Sequence, residues 1–288
     1  MTYASAFREG VACLSTAGVA NAANETVWLL EATLGISRLD IHVKPHTLLN
    51  DSSWTEATHV LSRRAEGEPL QYILGTQEFR GLDMSVRPGG LIPRPETELI
   101  LDEVHSLPLN RDHLQIADIG TGSGCLAVAL AKEIPGAMIY ATDCSEVALE
   151  LAKHNASRHK VQDRITFLHG DLLEPFNAMP ERAAEISVLV ANPPYIPTGQ
   201  LDCLPSEVRD YEPHLALDGG SDGLMFYRRL LREALLMLPP GGWLVLEFGE
   251  GQASSICEDV KHLSTWNIRN IRPDNAGIER VISLERKG

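Results

Sequence analysis

Apolar side chains in the first 65 residues return every three or four positions. Val27, Leu30 and Leu34 fall on one helical face, and Val60 and Leu61 mark another. Breaks near Gly18, Gly35 and Lys44-Pro45 cut this region into pieces. Asn50-Asp51-Ser52-Ser53 offers N-caps just ahead of Trp54. The pattern predicts a bundle of three to five short helices with no recognisable chemistry. The period then changes. Gln77–Phe79 and Asp83–Val86 have strand composition and are separated by Arg80-Gly81, which predicts a hairpin. Three prolines and two glycines between Pro88 and Pro95 force an extended, irregular stretch.

From Thr97 onward helical and strand periods alternate. Helices are predicted over Thr97–Leu107, Gly124–Ile134, Ser145–Ser157 and Ser221–Leu238. Strands are predicted over Leu114–Ile119, Met138–Asp143, Ile165–His169, Ile186–Ala191 and Trp243–Phe248. One more helix and two closing strands, near Ile268 and Val281, complete the chain. Such alternation implies an α/β fold with a mostly parallel sheet covered by helices on both faces. Ligands of such sheets sit outside the C-terminal strand ends.

Composition adds exclusions. The 288 residues are 44% apolar and 22% charged, an ordinary globular balance. No stretch of eighteen apolar residues predicts a membrane span, and MTYASAFREG lacks the features of a signal peptide, so a cytoplasmic protein is expected. The net charge of −14 is uneven: residues 1–95 carry −2 and residues 96–288 carry −12. That argues against gripping nucleic acid by its phosphates. The five cysteines form no CxxC pair and the ten histidines no HExxH, so no metal site or disulfide framework is expected.

Three motifs point to chemistry. Ala117 to Gly124 reads ADIGTGSG between a predicted strand and a predicted helix, where glycines let the backbone turn and a ligand approach. Its spacing is GxGxG; a dinucleotide fingerprint would need glycine where Cys125 stands. Asp143 ends the next strand, placed to accept hydrogen bonds from ribose hydroxyls, although a carboxylate there also suits a helix N-terminus. Asp171, after the third strand, is the matching candidate for an adenine amine, or else a loop cap. Asn192-Pro193-Pro194-Tyr195 follows the strand ending at Ala191. Its prolines stiffen the backbone, and its carbonyls and the Asn192 side-chain oxygen form a set of acceptors suited to a planar NH₂ group. Tyr195 offers a ring for stacking.

Together these motifs resemble class I methyltransferases that use S-adenosylmethionine to methylate exocyclic or amide nitrogens. PLQYILGTQEF at 69–79, LIPRPETE at 91–98, DIGTGSG at 118–124, NPPY at 192–195 and RPDNAGIERV at 272–281 narrow the resemblance to the release factor glutamine methyltransferases, the HemK/PrmC family. The resemblance implies a helical substrate-docking domain over 1–75, a hairpin linker over 76–95 and a Rossmann-like, seven-stranded methyltransferase domain over 96–288. It implies methyl transfer from S-adenosylmethionine, leaving S-adenosylhomocysteine. The acceptor would be the side-chain amide (N5) of the glutamine in the Gly-Gly-Gln tripeptide of class 1 peptide-chain release factors.

Carried over by position, Asp118, Gly120, Thr121, Gly122, Ser123, Gly124, Asp143, Asp171, Leu172 and Asn192 would serve the cofactor. Leu172 stands where some relatives have a large aromatic beside the adenine. Asn192, Pro193, Pro194 and Tyr195 would hold the glutamine, with Asn192 and Pro193 as the catalytic pair. Arg94 and Glu98 would lie at the methionine end of the cofactor. A monomer is expected, with neither membrane nor nucleic acid as partner. The competing readings are an amino-methyltransferase acting on adenine or guanine in DNA or RNA, an NAD(P) oxidoreductase and a non-catalytic S-adenosylmethionine sensor.

Overall fold

The computed structural model describes residues 1–110 and 113–288. The chain forms two compact units. One comprises Met1–Thr76 with Pro205–Tyr211, and the other Gln77–Leu204 with Glu212–Gly288.

The first unit is helical: α1 (Tyr3–Thr16), α2 (Ala22–Leu34), α3 (Arg38–Val43), α4 (Asp51–Ala65) and α5 (Leu70–Leu74). The expected punctuation is in place. Asn50 caps α4 by accepting from the Ser53 amide at 2.7 Å, and α2 stops at Gly35 in a left-handed conformation, φ 68°. Leu14, Leu29, Leu61 and Leu70 pack between the helices. The buried Arg64 guanidinium pairs with Glu25 at 2.6 Å and Glu207 at 2.9 Å, and the Tyr211 hydroxyl donates to the Glu66 carbonyl. These bonds give Pro205–Tyr211 its place among the helices, which no local pattern in that segment announces.

The second unit opens with hairpin strands β1 (Thr76–Phe79) and β2 (Leu82–Ser85). Arg80 and Gly81 both have positive φ, 55° and 72°, as a tight two-residue hairpin turn requires. In chain order there follow α6 (Glu98–Ser106), β3 (Gln115–Ile119), α7 (Cys125–Glu133), β4 (Met138–Asp143), α8 (Glu146–Arg158), β5 (Ile165–His169), α9 (Pro180–Ala183) and β6 (Val188–Ala191). The short α10 (Ser206–Arg209) belongs to the first unit. Then come α11 (Met225–Met237), β7 (Trp243–Glu247), α12 (Ala253–Leu263), β8 (Trp266–Pro273) and β9 (Glu279–Arg286).

The seven-stranded sheet runs β5-β4-β3-β6-β7-β9-β8, parallel from β5 to β7 and antiparallel at β9 and β8. One face buries Ile116, Val188 and Val245 under α6 and α7; the other buries Leu189 and Leu244 under α11 and α12. That two-sided burial is why β6 and β7 are apolar at nearly every position. Helix α11 begins four residues later than its apolar pattern suggests. Gly220 and Gly223 take φ of 88° and 76°, and the Asp222 carboxylate accepts from the Leu224 amide, so the chain turns there before it winds. Among the described residues no helix is long and apolar enough to cross a membrane.

Candidate active site

The chain runs from β3 outward to β4 and β5, then returns to place β6 on the other side of β3. The crevice between the ends of β3 and β6 is therefore the switch point of the sheet. Register brings the motifs to one level. Ile119 lies beside both Thr142 and Ala191, and Ala191 lies beside Leu246. The residues that follow, Gly120, Asp143, Asn192 and Glu247, therefore stand at one level, Asp143 and Glu247 as the last residues of β4 and β7 and Gly120 and Asn192 as the first beyond β3 and β6.

The glycine loop uses left-handed geometry three times, with φ of 72°, 56° and 80° at Gly120, Gly122 and Gly124. A Cβ on Gly120 or Gly122 would meet nothing within 4 Å, whereas one on Gly124 would come within 2.8 Å of the Ala152 Cβ. The first two glycines thus turn bare backbone toward open space, and the third lets α7 pack on α8. Asp118 supports the loop from behind. Its carboxylate accepts from the Thr121 hydroxyl at 2.6 Å and the Ala127 amide at 3.2 Å, and burial pushes it up to about 7. Asp143 accepts from the Gly122 amide at 2.8 Å and the Ser145 amide at 2.9 Å; burial raises its pKa against those bonds.

In front of the loop lies a cavity of about 530 Å³, within the usual range for small-molecule sites. Of the residues read from the sequence, Gly120, Thr121, Gly122, Ser123, Asp143, Asp171, Leu172, Asn192, Pro193, Pro194 and Arg94 line it. Asp118, Gly124, Tyr195 and Glu98 do not. Glu98 instead accepts from the Arg80 amide at the hairpin turn. The Tyr195 ring packs into the core, its hydroxyl 3.5 Å from Glu247 Oε1, so it offers no stacking face to the cavity. Asp171 is gripped by Arg229 through two bonds of 2.9 and 3.1 Å. Leu172 holds a positive φ of 47°, costly for a branched side chain, and its carbonyl accepts from the Thr142 hydroxyl at 3.0 Å.

Asn192 Nδ2 donates to Thr97 Oγ1 at 3.0 Å. This bond fixes the amide orientation and leaves Oδ1 as an acceptor, and Asn192 and Pro193 both line the cavity. The loop is braced from outside: Gln252 Nε2 donates to the Tyr195 carbonyl at 2.9 Å, and the Ile196 amide to the Leu217 carbonyl at 3.0 Å. Thr97, inside the Arg94–Glu98 stretch expected at the methionine end, also lines the cavity, as do Gly89, Gly90, Leu215 and Met225, which the sequence reading did not single out. Thr97 sits inside LIPRPETE, so that motif carries a structural reason as well as a family mark. Leu215 and Met225 carry no motif; they are large apolar side chains left exposed.

The family profile described as "PrmC N-terminal domain" matches residues 5–75, and "Methyltransferase small domain" matches residues 96–204. A release factor glutamine methyltransferase of Geobacter sulfurreducens is 45% identical over 93% of this chain and 91% of its own length. That of Moorella thermoacetica is 39% identical, with 100% and 99% covered. Among solved structures, a methyltransferase from Pyrococcus furiosus aligns with a TM-score of 0.53 at 20% identity, covering 73% of this chain and 91% of that one. The N-terminal domain of human METTL16, solved with SAH, aligns with a TM-score of 0.52 at 15% identity, covering 91% and 94%. These two likenesses bear on the fold of the sheet unit.

Proposed function

The chain belongs to the release factor glutamine methyltransferases, enzymes that methylate glutamine in release factors, and we propose how its cavity performs that transfer. The bare faces of Gly120 and Gly122 suit a ligand pressed against the backbone, and Asp143 offers its remaining lone pairs to ribose hydroxyls. Asp171 and Leu172 flank the adenine end, and Arg94 lies toward the methionine end. Bound there, S-adenosylmethionine supplies a sulfonium methyl, and S-adenosylhomocysteine departs with the electron pair of the broken carbon–sulfur bond.

The acceptor is the side-chain amide nitrogen of the glutamine in a Gly-Gly-Gln tripeptide. Its lone pair is delocalised into the carbonyl, so the enzyme must position and polarise it. Asn192 Oδ1 and the Pro193 carbonyl accept its two hydrogens, concentrating electron density on nitrogen and aiming it at the methyl. The surplus proton passes to water after the bond forms; no dedicated base is required. The observation that carries this reading is the bond from Asn192 Nδ2 to Thr97, which leaves Oδ1 to face a ligand NH₂. Mass spectrometry of a release factor's Gly-Gly-Gln peptide, after incubation with S-adenosylmethionine and this protein, tests it. One added methyl on the glutamine is expected, and methylation of nucleic acid in its place would overturn the reading.

Two further outcomes follow. Asp143→Ala should weaken S-adenosylmethionine binding by about 1.5–3 kcal/mol, the worth of hydrogen bonds to a charged group. Unchanged affinity by calorimetry would remove Asp143 from the cofactor site. The helical unit is assigned to substrate docking; it leaves Trp28, Leu39, Val43 and Leu48 exposed. A chain beginning at Glu68 should still bind the cofactor but should methylate intact release factor poorly. Equal activity on the intact factor would reduce the helices to a structural cap.

A further inference from the structure

The buried face of α8 consists of Ala148, Leu149, Leu151, Ala152 and Ala156, with one polar residue among them, Asn155, at 0% exposure. Asparagine is a poor choice for that position on helix propensity and on burial alike. Its amide is used in three directions. Oδ1 accepts from the Ser85 amide at 2.8 Å, and Nδ2 donates to the Ser85 carbonyl at 3.0 Å and to the Ser123 carbonyl at 2.9 Å. Ser85 ends β2, and Ser123 belongs to the glycine loop. Both hydrogens of the side-chain NH₂ are therefore committed, one to each segment. The same helix carries the cavity walls into which those segments lead. Just beyond Ser85 the chain reaches Gly89, Gly90 and Leu91, which line the cavity. A Cβ on Gly89 would stand 2.9 Å from Val147, and one on Gly90 2.7 Å from Leu151, as one on Gly124 would meet Ala152. Ser123 lines the same cavity, and its peptide is held again where the Gly124 amide donates to the Thr121 carbonyl at 2.8 Å. Apolar contacts resist compression but have no direction, whereas the bonds of Asn155 have one. Arg158 also docks β2 on α8, donating to the Ser85 hydroxyl at 2.9 Å and pairing with Asp83, but it is exposed and its bonds go to β2.

We propose that Asn155 is a positioning residue for the cofactor: one buried side-chain amide joins the strand that feeds the Gly89–Leu91 wall to the glycine loop, and so holds two walls of the cavity in one arrangement. This rests on the cofactor role given to the glycine loop above. Without that amide the Ser123 carbonyl and both backbone groups of Ser85 lose this partner, and buried backbone groups shift until they find another or reach water. A glycine loop displaced from the Gly89–Leu91 wall no longer presents the bare faces of Gly120 and Gly122 in the same place. Cofactor affinity therefore responds. Asn192 and its loop are held by Thr97 and Gln252, through bonds in which Asn155 has no part. The coupling runs both ways by thermodynamic necessity: a ligand seated against both walls makes the bonds at Ser85 harder to open.

The first measurement needs no variant. Amide hydrogen exchange of the wild-type protein is followed with and without saturating S-adenosylhomocysteine. The Ser85 amide, bonded to Asn155, should exchange about tenfold more slowly with the ligand present. The Arg80 amide, which donates to Glu98 at 2.8 Å at the turn of the same hairpin, is the reference and should slow by no more than about twofold. A Ser85 amide that is unmoved by the ligand, or slowed no more than that of Arg80, would overturn the proposal.

Variants then separate the joint from the docking of the hairpin in general. Asn155→Ala should raise the calorimetric Kd for S-adenosylmethionine about tenfold, the scale of one lost hydrogen bond, and KM for S-adenosylmethionine with it. Its kcat at saturation and its KM for release factor should stay within about twofold of wild type. Asn155→Asp keeps the acceptor for the Ser85 amide but sets a carboxylate against two carbonyls, and should bind no better than alanine. Arg158→Ala loosens β2 yet leaves all three Asn155 bonds, and should bind within about twofold of wild type. The proposal fails if Asn155→Ala binds as wild type does, or if Arg158→Ala binds as weakly as Asn155→Ala. If Asp143→Ala is weak in the same calorimetry while Asn155→Ala is not, only this proposal falls; if Asp143→Ala binds as wild type does, the reading beneath it falls.

Discussion

Asn192→Ala is expected to slow methyl transfer about 10²–10³-fold, the usual effect of removing one preorganised hydrogen-bonding group from a reacting centre. The side chain supplies one of two acceptors for the glutamine NH₂, and its own NH₂ is already committed to Thr97 at 3.0 Å. Cofactor affinity should change little, because the glycine loop and Asp143 hold their shape through bonds that do not involve Asn192. Asn192→Asp is the sharper variant. It keeps an acceptor of the same shape but loses the donor to Thr97 and adds a charge that draws the sulfonium into nonproductive poses. It should therefore lose nearly as much as alanine. Single-turnover measurements at saturating cofactor decide both cases. Near wild-type methylation by the alanine variant would sink the mechanism, and full activity of the aspartate variant would show that the orienting bond is dispensable.

Gly223→Ala should damage the same loop from outside. Gly223 has φ 76°, and a Cβ there would stand 2.3 Å from the Tyr195 carbonyl oxygen and 2.5 Å from Gln252 Nε2. The left-handed backbone costs an L residue about 1–2 kcal/mol, and forced overpacking adds about 1–3 kcal/mol. A melting temperature lower by roughly 10 °C follows for a domain of this size. Activity should fall further than stability. The displaced atoms include the bond from Gln252 to the Tyr195 carbonyl that braces Asn192-Pro193-Pro194, and a displacement of about 1 Å can cost about 10²-fold in rate. Gly241→Ala is the matched control: its φ of 79° carries the same strain, but its Cβ would meet nothing within 4 Å. It should lose about 1–2 kcal/mol of stability and no activity. If both variants lose activity in proportion to their melting temperatures, the close approach at Gly223 has no special bearing on the site.

The strand–loop–helix order was legible wherever period and punctuation agreed. Met138–Asp143 and Ile165–His169 are strands over the residues their patterns predict, and Arg80-Gly81 turns the hairpin as its composition suggests. The helix expected from Ser221 starts instead at Met225, because two left-handed glycines outweigh the apolar period. The loop residues that converge on the cavity were also legible, since glycines, prolines and strand-end carboxylates announce themselves locally. Direction was not. Tyr195 was read as a stacking face, yet its neighbours in space send the ring into the core. Asp118 and Asp143 look alike in sequence, Asp118 one residue before the end of its strand and Asp143 at the end of the next. One is sealed behind the loop at 0% exposure, and the other lines the cavity.

The sequence by itself determined the alternating sheet, the glycine turn, the rigid Asn-Pro-Pro-Tyr segment and the family these motifs mark. All of these depend on residues within a few positions of one another, where backbone sterics and periodicity act. Only the tertiary structure decided that Thr97 orients Asn192 across 95 residues, that Glu247 lies buried beside Tyr195, and that Pro205–Tyr211 joins the helical unit through Arg64. Those contacts arise from the parallel register of β3, β6 and β7 and from the return of a long loop. No local pattern encodes them, because the energy that fixes them is shared between segments that meet only when the chain has folded.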